Sequence, residues 1–306
     1  MHSTRRFGWF VFILLISLLP VRLPAEPDPM HAYRTLLWNH LEALCAIGPR
    51  YPGSEGHAET RAYIRDVAER HASSWREQAF TVSVADRSDL PLYNYELTFE
   101  GTEDLPPILI GAHYDTRPFA DEESDPERQK QPIIGANDGG SGTAVLLGLA
   151  RYLDENPPKR PVKLVFFDGE DYGRAGSGEY FLGSTYYAEQ LEKQDKSTWP
   201  YRVLVVDMVG EKDMKIFKEQ HSFRSAMGFL DEVYDAAEAH NLPQFVPKLR
   251  YSVRDDHLPF IHLGIPSVLL IDFDYPHWHT LEDTLDKCSA ESLQAVFTVV
   301  VEMLKR

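Results

Sequence analysis

Histidine and carboxylate residues recur directly behind short apolar runs in this sequence. Ile108-Leu109-Ile110 is followed by Gly111-Ala112-His113-Tyr114-Asp115, and the run 162–167 by Asp168-Gly169-Glu170-Asp171. Asp207 follows 203–206, while Asp272, Asp274, Tyr275, His277, Trp278 and His279 follow 267–271. Asp138 lies in the glycine-rich turn 135–142, and Asp255-Asp256-His257 precede Leu258-Pro259-Phe260. A single polar residue at a strand end ordinarily serves as a cap or turn. The joint pattern points to chemistry instead. Carboxylates gathered in one cleft repel one another, and a cation between them removes that cost. Imidazole and carboxylate donors without thiolate suit catalytic zinc. The turn 135–142 lacks the Walker lysine and the dinucleotide spacing, and Asp138 would repel a phosphate. No Gly-x-Ser-x-Gly accompanies the candidate histidines, so a serine nucleophile is not supported.

The elements that must position these residues can be read from periodicity. Helical spacing covers about 33–47, 54–71, 141–156, 178–192, 224–241 and 290–304. Alternation over 79–85 and 92–99 suggests two paired, half-buried strands. The continuous apolar runs at 108–110, 162–167, 203–206 and 267–271 suggest strands buried on both faces. Strands alternating with helices predict an α/β fold, a three-layer αβα sandwich with a central mixed, mostly parallel sheet. In such sheets, sites gather at the carboxyl ends of the strands. The polar stretch 117–132 reads as a surface loop, with Asp121, Glu122, Glu123 and Asp125 as solvated charges.

Residues 1–25 have a positive start (Arg5, Arg6), an uncharged apolar stretch and a small residue, Ala25, at the end. This is the pattern of a secretory signal, and the stretch is short for a membrane span. We therefore expect a signal peptide at 1–25, a single catalytic domain over 26–306, and a periplasmic or secreted product without stable membrane insertion. An uncleaved N-terminal anchor is the alternative. The 306-residue chain carries 31 Lys+Arg against 47 Asp+Glu, a formal charge of −16. Residues 1–25 hold three Arg and no acid, so the remainder stands at −19. No basic stripe marks a nucleic-acid surface, and none is expected as a partner. Cys45 and Cys288 form no CxxC and no Cys/His cluster; export would permit a disulfide, and burial as small hydrophobes fits equally.

The order His113-x-Asp115, Asn137-Asp138-Gly139-Gly140-Ser141-Gly142, Glu170-Asp171, Asp207 and His279-Thr280 resembles the zinc-dependent aminopeptidase superfamily. Within it, the chain looks most like the glutaminyl-peptide cyclotransferases. That likeness rests on Phe166-Phe167-Asp168-Gly169-Glu170, Asp255-Asp256-His257-Leu258-Pro259-Phe260 and Trp278-His279-Thr280. It extends from Gly48-Pro49-Arg50 to the final helix. The resemblance implies a zinc-exopeptidase-like fold and one zinc per chain, held by Asp138, Asp171 and His279. It implies Glu170 as acid/base, Asp207 and Asp255 as a carboxylate network beside it, and Trp278, with Tyr275 nearby, against the substrate. The implied substrates are peptides or proteins with an N-terminal Gln. The animal enzymes carry Glu at the position of Asp171, whose shorter side chain must bring its backbone closer to a metal. In two-metal aminopeptidases the residues matching His113 and Asp207 hold a second zinc, so metal ligation and hydrogen bonding both remain open for this pair. Those peptidases usually carry Tyr where Trp278 stands. The rival functions are thus a two-zinc aminopeptidase and an exported, non-catalytic metal- or peptide-binding protein. The intact Glu170 argues against the last.

Overall fold

A computed structural model describes residues 29–85, 87–174 and 177–305. The signal expected at 1–25 lies outside them. In chain order the elements are α1 (Pro29–Ile47), α2 (Glu55–His71), β1 (Ser74–Val84), β2 (Arg87–Phe99), β3 (Ile108–His113), α3 (Gly140–Glu155), β4 (Val162–Phe167), α4 (Leu182–Glu192), β5 (Arg202–Asp207), β6 (Ile216–Lys218), α5 (Gln220–Ala239), β7 (Phe245–Leu249), α6 (Leu258–His262), β8 (Ser267–Ile271) and α7 (Ala290–Leu304).

Six strands form one sheet in the order β1-β2-β4-β3-β5-β8. The four apolar runs supply β4, β3, β5 and β8, which pair in parallel; β1 and β2 join antiparallel at one edge. Because side chains alternate along a strand, each run feeds two cores. Ile110, Leu164, Leu204 and Val268 pack with Leu37 of α1, Ile64 of α2, Leu146 of α3, Leu230 of α5 and Val296 of α7. Leu109, Val165, Val205 and Leu269 face the other way, against Tyr187 of α4 and Phe260 of α6. Helices on both faces of a mostly parallel sheet make the three-layer αβα sandwich.

The boundaries differ from the periodicity reading in instructive ways. The edge hairpin is longer than expected because 74–78 and 87–89 are mostly exposed and polar, so ladder hydrogen bonds, not an apolar pattern, define them. α4 starts at Leu182, not 178, because Gly178 (φ 76°) and Phe181 (φ 58°) adopt left-handed backbone that no helix continues. α5 starts at Gln220, capped by the Glu219 carboxylate, and kinks at Ala226 (φ −148°). The parallel pair β6–β7 and the single turn of α6 were not anticipated; each is five residues or fewer.

Candidate active site

His113 ends β3, Asp207 ends β5, and Glu170 and Asp171 follow β4, all at the carboxyl edge of the parallel strands. Asp138 is delivered by a turn whose tightness depends on glycine. Gly139 has φ 77°, and a Cβ there would meet the Asp115 carbonyl at 2.3 Å and the His113 ring at 3.1 Å. Two buried groups brace this turn. The Arg50 guanidinium donates to the carbonyls of Ile134 (2.9 Å) and Gly135 (2.7 Å). The Asp283 carboxylate accepts from the backbone N–H of Asn137 (2.8 Å) and Asp138 (3.0 Å). Asp115 braces the neighbouring turn, accepting from the N–H of Glu170 (3.1 Å) and Asp171 (3.2 Å).

The carboxylate of Asp138 lies between two histidines. Its Oδ2 is 3.5 Å from His279 Nε2, which is 3.2 Å from Asp171 Oδ1. Its Oδ1 is 3.3 Å from His113 Nε2, which is 3.0 Å from Asp207 Oδ1. Asp138, Asp171 and His279 form one group whose donor atoms all lie within 4.8 Å of one another, and His113, Asp138 and Asp207 form a second. Tetrahedral zinc with bonds of about 2.0–2.1 Å separates its ligand atoms by roughly 3.3 Å, close to these spacings. Asp138 Oδ2 and Asp171 Oδ2 are buried without a hydrogen-bond partner. Such orphaned acceptors are rare in native interiors unless an ion or water completes them. The donor set and the orphaned oxygens fit a zinc ion.

Around this centre the charges are crowded. Burial raises the Asp138 carboxyl above its ordinary range, with Asp171 and Asp207 adding to the effect. Burial likewise holds Glu170 and Asp255 well above the usual carboxylate range, and neighbouring carboxylates push both the same way. Asp256 is pushed up to about 7. Asp171 goes the opposite way: burial would raise it, but His279 and Arg117 outweigh that and lower it.

The open side is a cleft of about 290 Å³ lined by Asp138, Glu170, Asp171, Asp207, Asp255, Trp278 and His279, with Phe181 and Phe273 among the apolar walls. Trp278 stacks on His279, ring centroids 3.7 Å apart and planes 25° apart. Tyr275 departs from expectation. It is buried, its hydroxyl donates to Asp283 Oδ1 at 2.8 Å, and it does not line the cleft. It supports the Asp138 turn through Asp283. Asp121 also departs: it is not a free surface charge but pairs with Arg117 and lies 3.3 Å from His279 Nδ1. The Arg117 side chain is fully buried and reaches Asp171 Oδ1 at 2.9 Å. Its place two residues after Asp115 was a usable signal; Asp283 had none, since it meets Asn137 and Asp138 from about 145 residues away.

The sequence profile of Peptidase family M28 matches residues 94–304. A glutaminyl-peptide cyclotransferase of Gloydius blomhoffii is 27% identical over 291 residues, covering 82% of this chain and 76% of that protein. Among solved structures, a glutaminyl cyclase of Fimbriiglobus ruber superposes with a TM-score of 0.84 at 28% identity, covering 94% of this chain and 99% of that one. A Zn-dependent exopeptidase of Parabacteroides distasonis gives 0.84 at 27% identity, over 89% and 98%.

Proposed function

The chain belongs to peptidase family M28, and from that premise we propose that it is a zinc-dependent glutaminyl-peptide cyclotransferase. It would convert the N-terminal Gln of peptides or proteins to pyroglutamate and release ammonia. The observation that carries this reading is Trp278 stacked on His279 in the cleft that Glu170, Asp207 and Asp255 also line. An aromatic wall over a metal ligand suits the packing of a short amide side chain and the exclusion of water.

The substrate's α-amine attacks its own side-chain amide carbon; a C–N bond forms, the bond to the amide nitrogen breaks, and ammonia leaves. Because nucleophile and electrophile share one residue, much of the entropic cost is already met. Asp138, Asp171 and His279 would hold a zinc ion, which would supply Lewis acidity toward the amide carbonyl. Glu170 takes a proton from the attacking nitrogen and returns it to the leaving nitrogen. Asp207 and Asp255 keep the cleft acidic beside Glu170, and Trp278 and Phe273 hold the aliphatic part of the side chain. The enzyme would be exported under the direction of residues 1–25. Among the described residues no helix is long and apolar enough to cross a membrane.

A second reading, a two-zinc aminopeptidase, is favoured by one observation: Asp138 is shared between two triads. A peptide that begins with Gln separates the two. Ammonia release with loss of one ammonia in mass is the expected result; release of free Gln would establish the peptidase instead. Zinc binding with neither product would leave a binding protein.

A further inference from the structure

We propose that the pair Arg117–Asp121 is the positioning unit that makes Asp138–Asp171–His279, and not His113–Asp138–Asp207, the tight zinc site. The inference rests on the zinc reading of the cleft given above. Every donor of Arg117 is committed. Nε and Nη2 grip the two oxygens of Asp121 at 2.6 and 2.5 Å. Nη1 meets Asp171 at both its carbonyl (3.1 Å) and its Oδ1 (2.9 Å), and Nη2 donates to the Tyr180 hydroxyl (3.2 Å). One guanidinium nitrogen thus holds Asp171 at both its backbone carbonyl and its Oδ1, and Oδ2 is left without a partner. An aspartate has little reach, so anchoring its backbone and one carboxylate oxygen to the same buried guanidinium keeps it in place.

Asp121 completes the arrangement on the other ligand. Its Oδ1 lies 3.3 Å from His279 Nδ1, the ring nitrogen turned away from Asp138 and Asp171. A hydrogen at Nδ1 leaves the Nε2 lone pair aimed at the triad, which is how a carboxylate orients a metal-binding imidazole. The same loop also holds the His279 backbone, which sits at φ 54°. The His279 carbonyl accepts from Glu122 N–H (3.3 Å), and Glu123 Oε1 accepts from Leu281 N–H (3.0 Å). The other triad's histidine is committed differently: its Nε2 is hydrogen-bonded to Asp207 Oδ1 at 3.0 Å. His113 Nδ1 lacks a hydrogen-bond partner; its nearest carboxylate oxygen, Asp115 Oδ1, is 3.6 Å away. Asp115 is already engaged by Glu170 and Asp171 N–H.

The test is zinc affinity, read by chelator competition on the stripped full-length chain. One tight zinc per chain is expected for the wild type. Asp121→Asn and Arg117→Lys should each weaken it by about 10–100-fold, the usual cost of losing a ligand's outer partner. The double variant should lose little more than either single one, because the two residues act as a unit. Asp154→Asn, which breaks the surface pair with His71, should leave zinc affinity unchanged. Cobalt substitution adds a spectroscopic readout: the visible bands of the wild-type complex should shift in Asp121→Asn. Wild-type affinity in both single variants, or no tight zinc in the wild type, overturns the proposal. A chain that binds zinc in this way yet releases no ammonia removes the cyclase reading and leaves the role of the pair standing.

Discussion

Glu170 differs from its neighbours in what its side chain does for the fold. Asp115 and Asp283 hold turns together through backbone N–H groups. No hydrogen bond or ion pair to the Glu170 carboxylate occurs among the described residues, although it sits amid Asp171, Asp255 and Asp256. A carboxylate kept in a crowd without a structural bond is a candidate for proton transfer. Glu170→Gln should therefore lower turnover by about 10²–10⁴-fold, the usual share of a general acid/base. It should also retain zinc and melt no lower than the wild type, since one repelling charge is gone. Ammonia release, metal content and a thermal melt check this together; undiminished turnover would refute the assignment. Glu170, Asp171, Asp207 and His279 were legible in the sequence because each follows a buried strand, Asp138 because it lies in a glycine turn, and Asp255 from the Asp255-Asp256-His257 motif ahead of Leu258-Pro259-Phe260. Asp283, which holds the Asp138 turn, carried no such signal. The resemblance implies Tyr275 near the substrate beside Trp278, and the structure buries its ring with the hydroxyl on Asp283, away from the cleft lining. Asp121 looked like surface because its neighbours are charged, and only the packing of its loop against the His279 segment brings the two together.

Elements carry information of another kind, through their caps. Glu219 precedes α5 and is buried, yet its carboxylate accepts from the N–H of His221 (2.8 Å), Ser222 (2.7 Å) and Val253 (3.1 Å) and from the Ser222 hydroxyl (2.9 Å). It thus ties the start of α5 to the loop that presents Asp255. Burial would raise its pKa, but the His257 ring 3.4 Å away and the bonds from the His221 and Ser222 N–H groups outweigh that and hold it at about 2, below the ordinary 4.5. A depressed carboxylate pKa stabilises the fold above its unfolded value and loses that contribution as pH falls through the folded value. The contribution should be complete above about pH 4.5 and vanish towards pH 2, with a size on the order of 3 kcal/mol. Urea unfolding of wild type and Glu219→Gln, both with chelator so that metal loss plays no part, should show a gap at neutral pH that closes in acid. A gap independent of pH would mean that shape, not charge, is what the cap supplies. Sequence periodicity found the body of this helix and missed its start. Its first turn, Gln220 to Phe223, carries no apolar stripe, and the signal was a capping carboxylate whose partners lie partly in a loop 34 residues away. The four central strands were easy by contrast, since burial on both faces leaves continuous apolar runs.

At the scale of the whole molecule, the formal charge of −16 includes many acids outside the cleft, several of them paired at the surface, such as Asp66 with Arg70 and Glu155 with Arg151. The few that matter are those the sheet forces together. Strands β4 and β5 and one glycine turn deliver Asp138, Glu170, Asp171 and Asp207 to a single edge, with Asp255 arriving from the loop before α6. The fold accepts this repulsion as the condition of having the site, and a bound cation offsets it. Zinc at a thousandfold excess over its Kd should then stabilise the chain by about 4 kcal/mol, a rise of several degrees in melting temperature. Chelation should reverse that rise, and Asp138→Ala should abolish the response, because Asp138 belongs to both triads. Salt distinguishes this from a general charge effect. Surface repulsion across an acidic molecule is screened by about 0.5 M sodium chloride, whereas charges buried in a cleft are screened far less. Added salt should accordingly raise the melting temperature of the zinc-bound and zinc-free forms alike and leave most of the difference between them. If salt instead removes the difference, the stabilisation comes from the surface charge as a whole, and the cleft carboxylates are not where the metal acts.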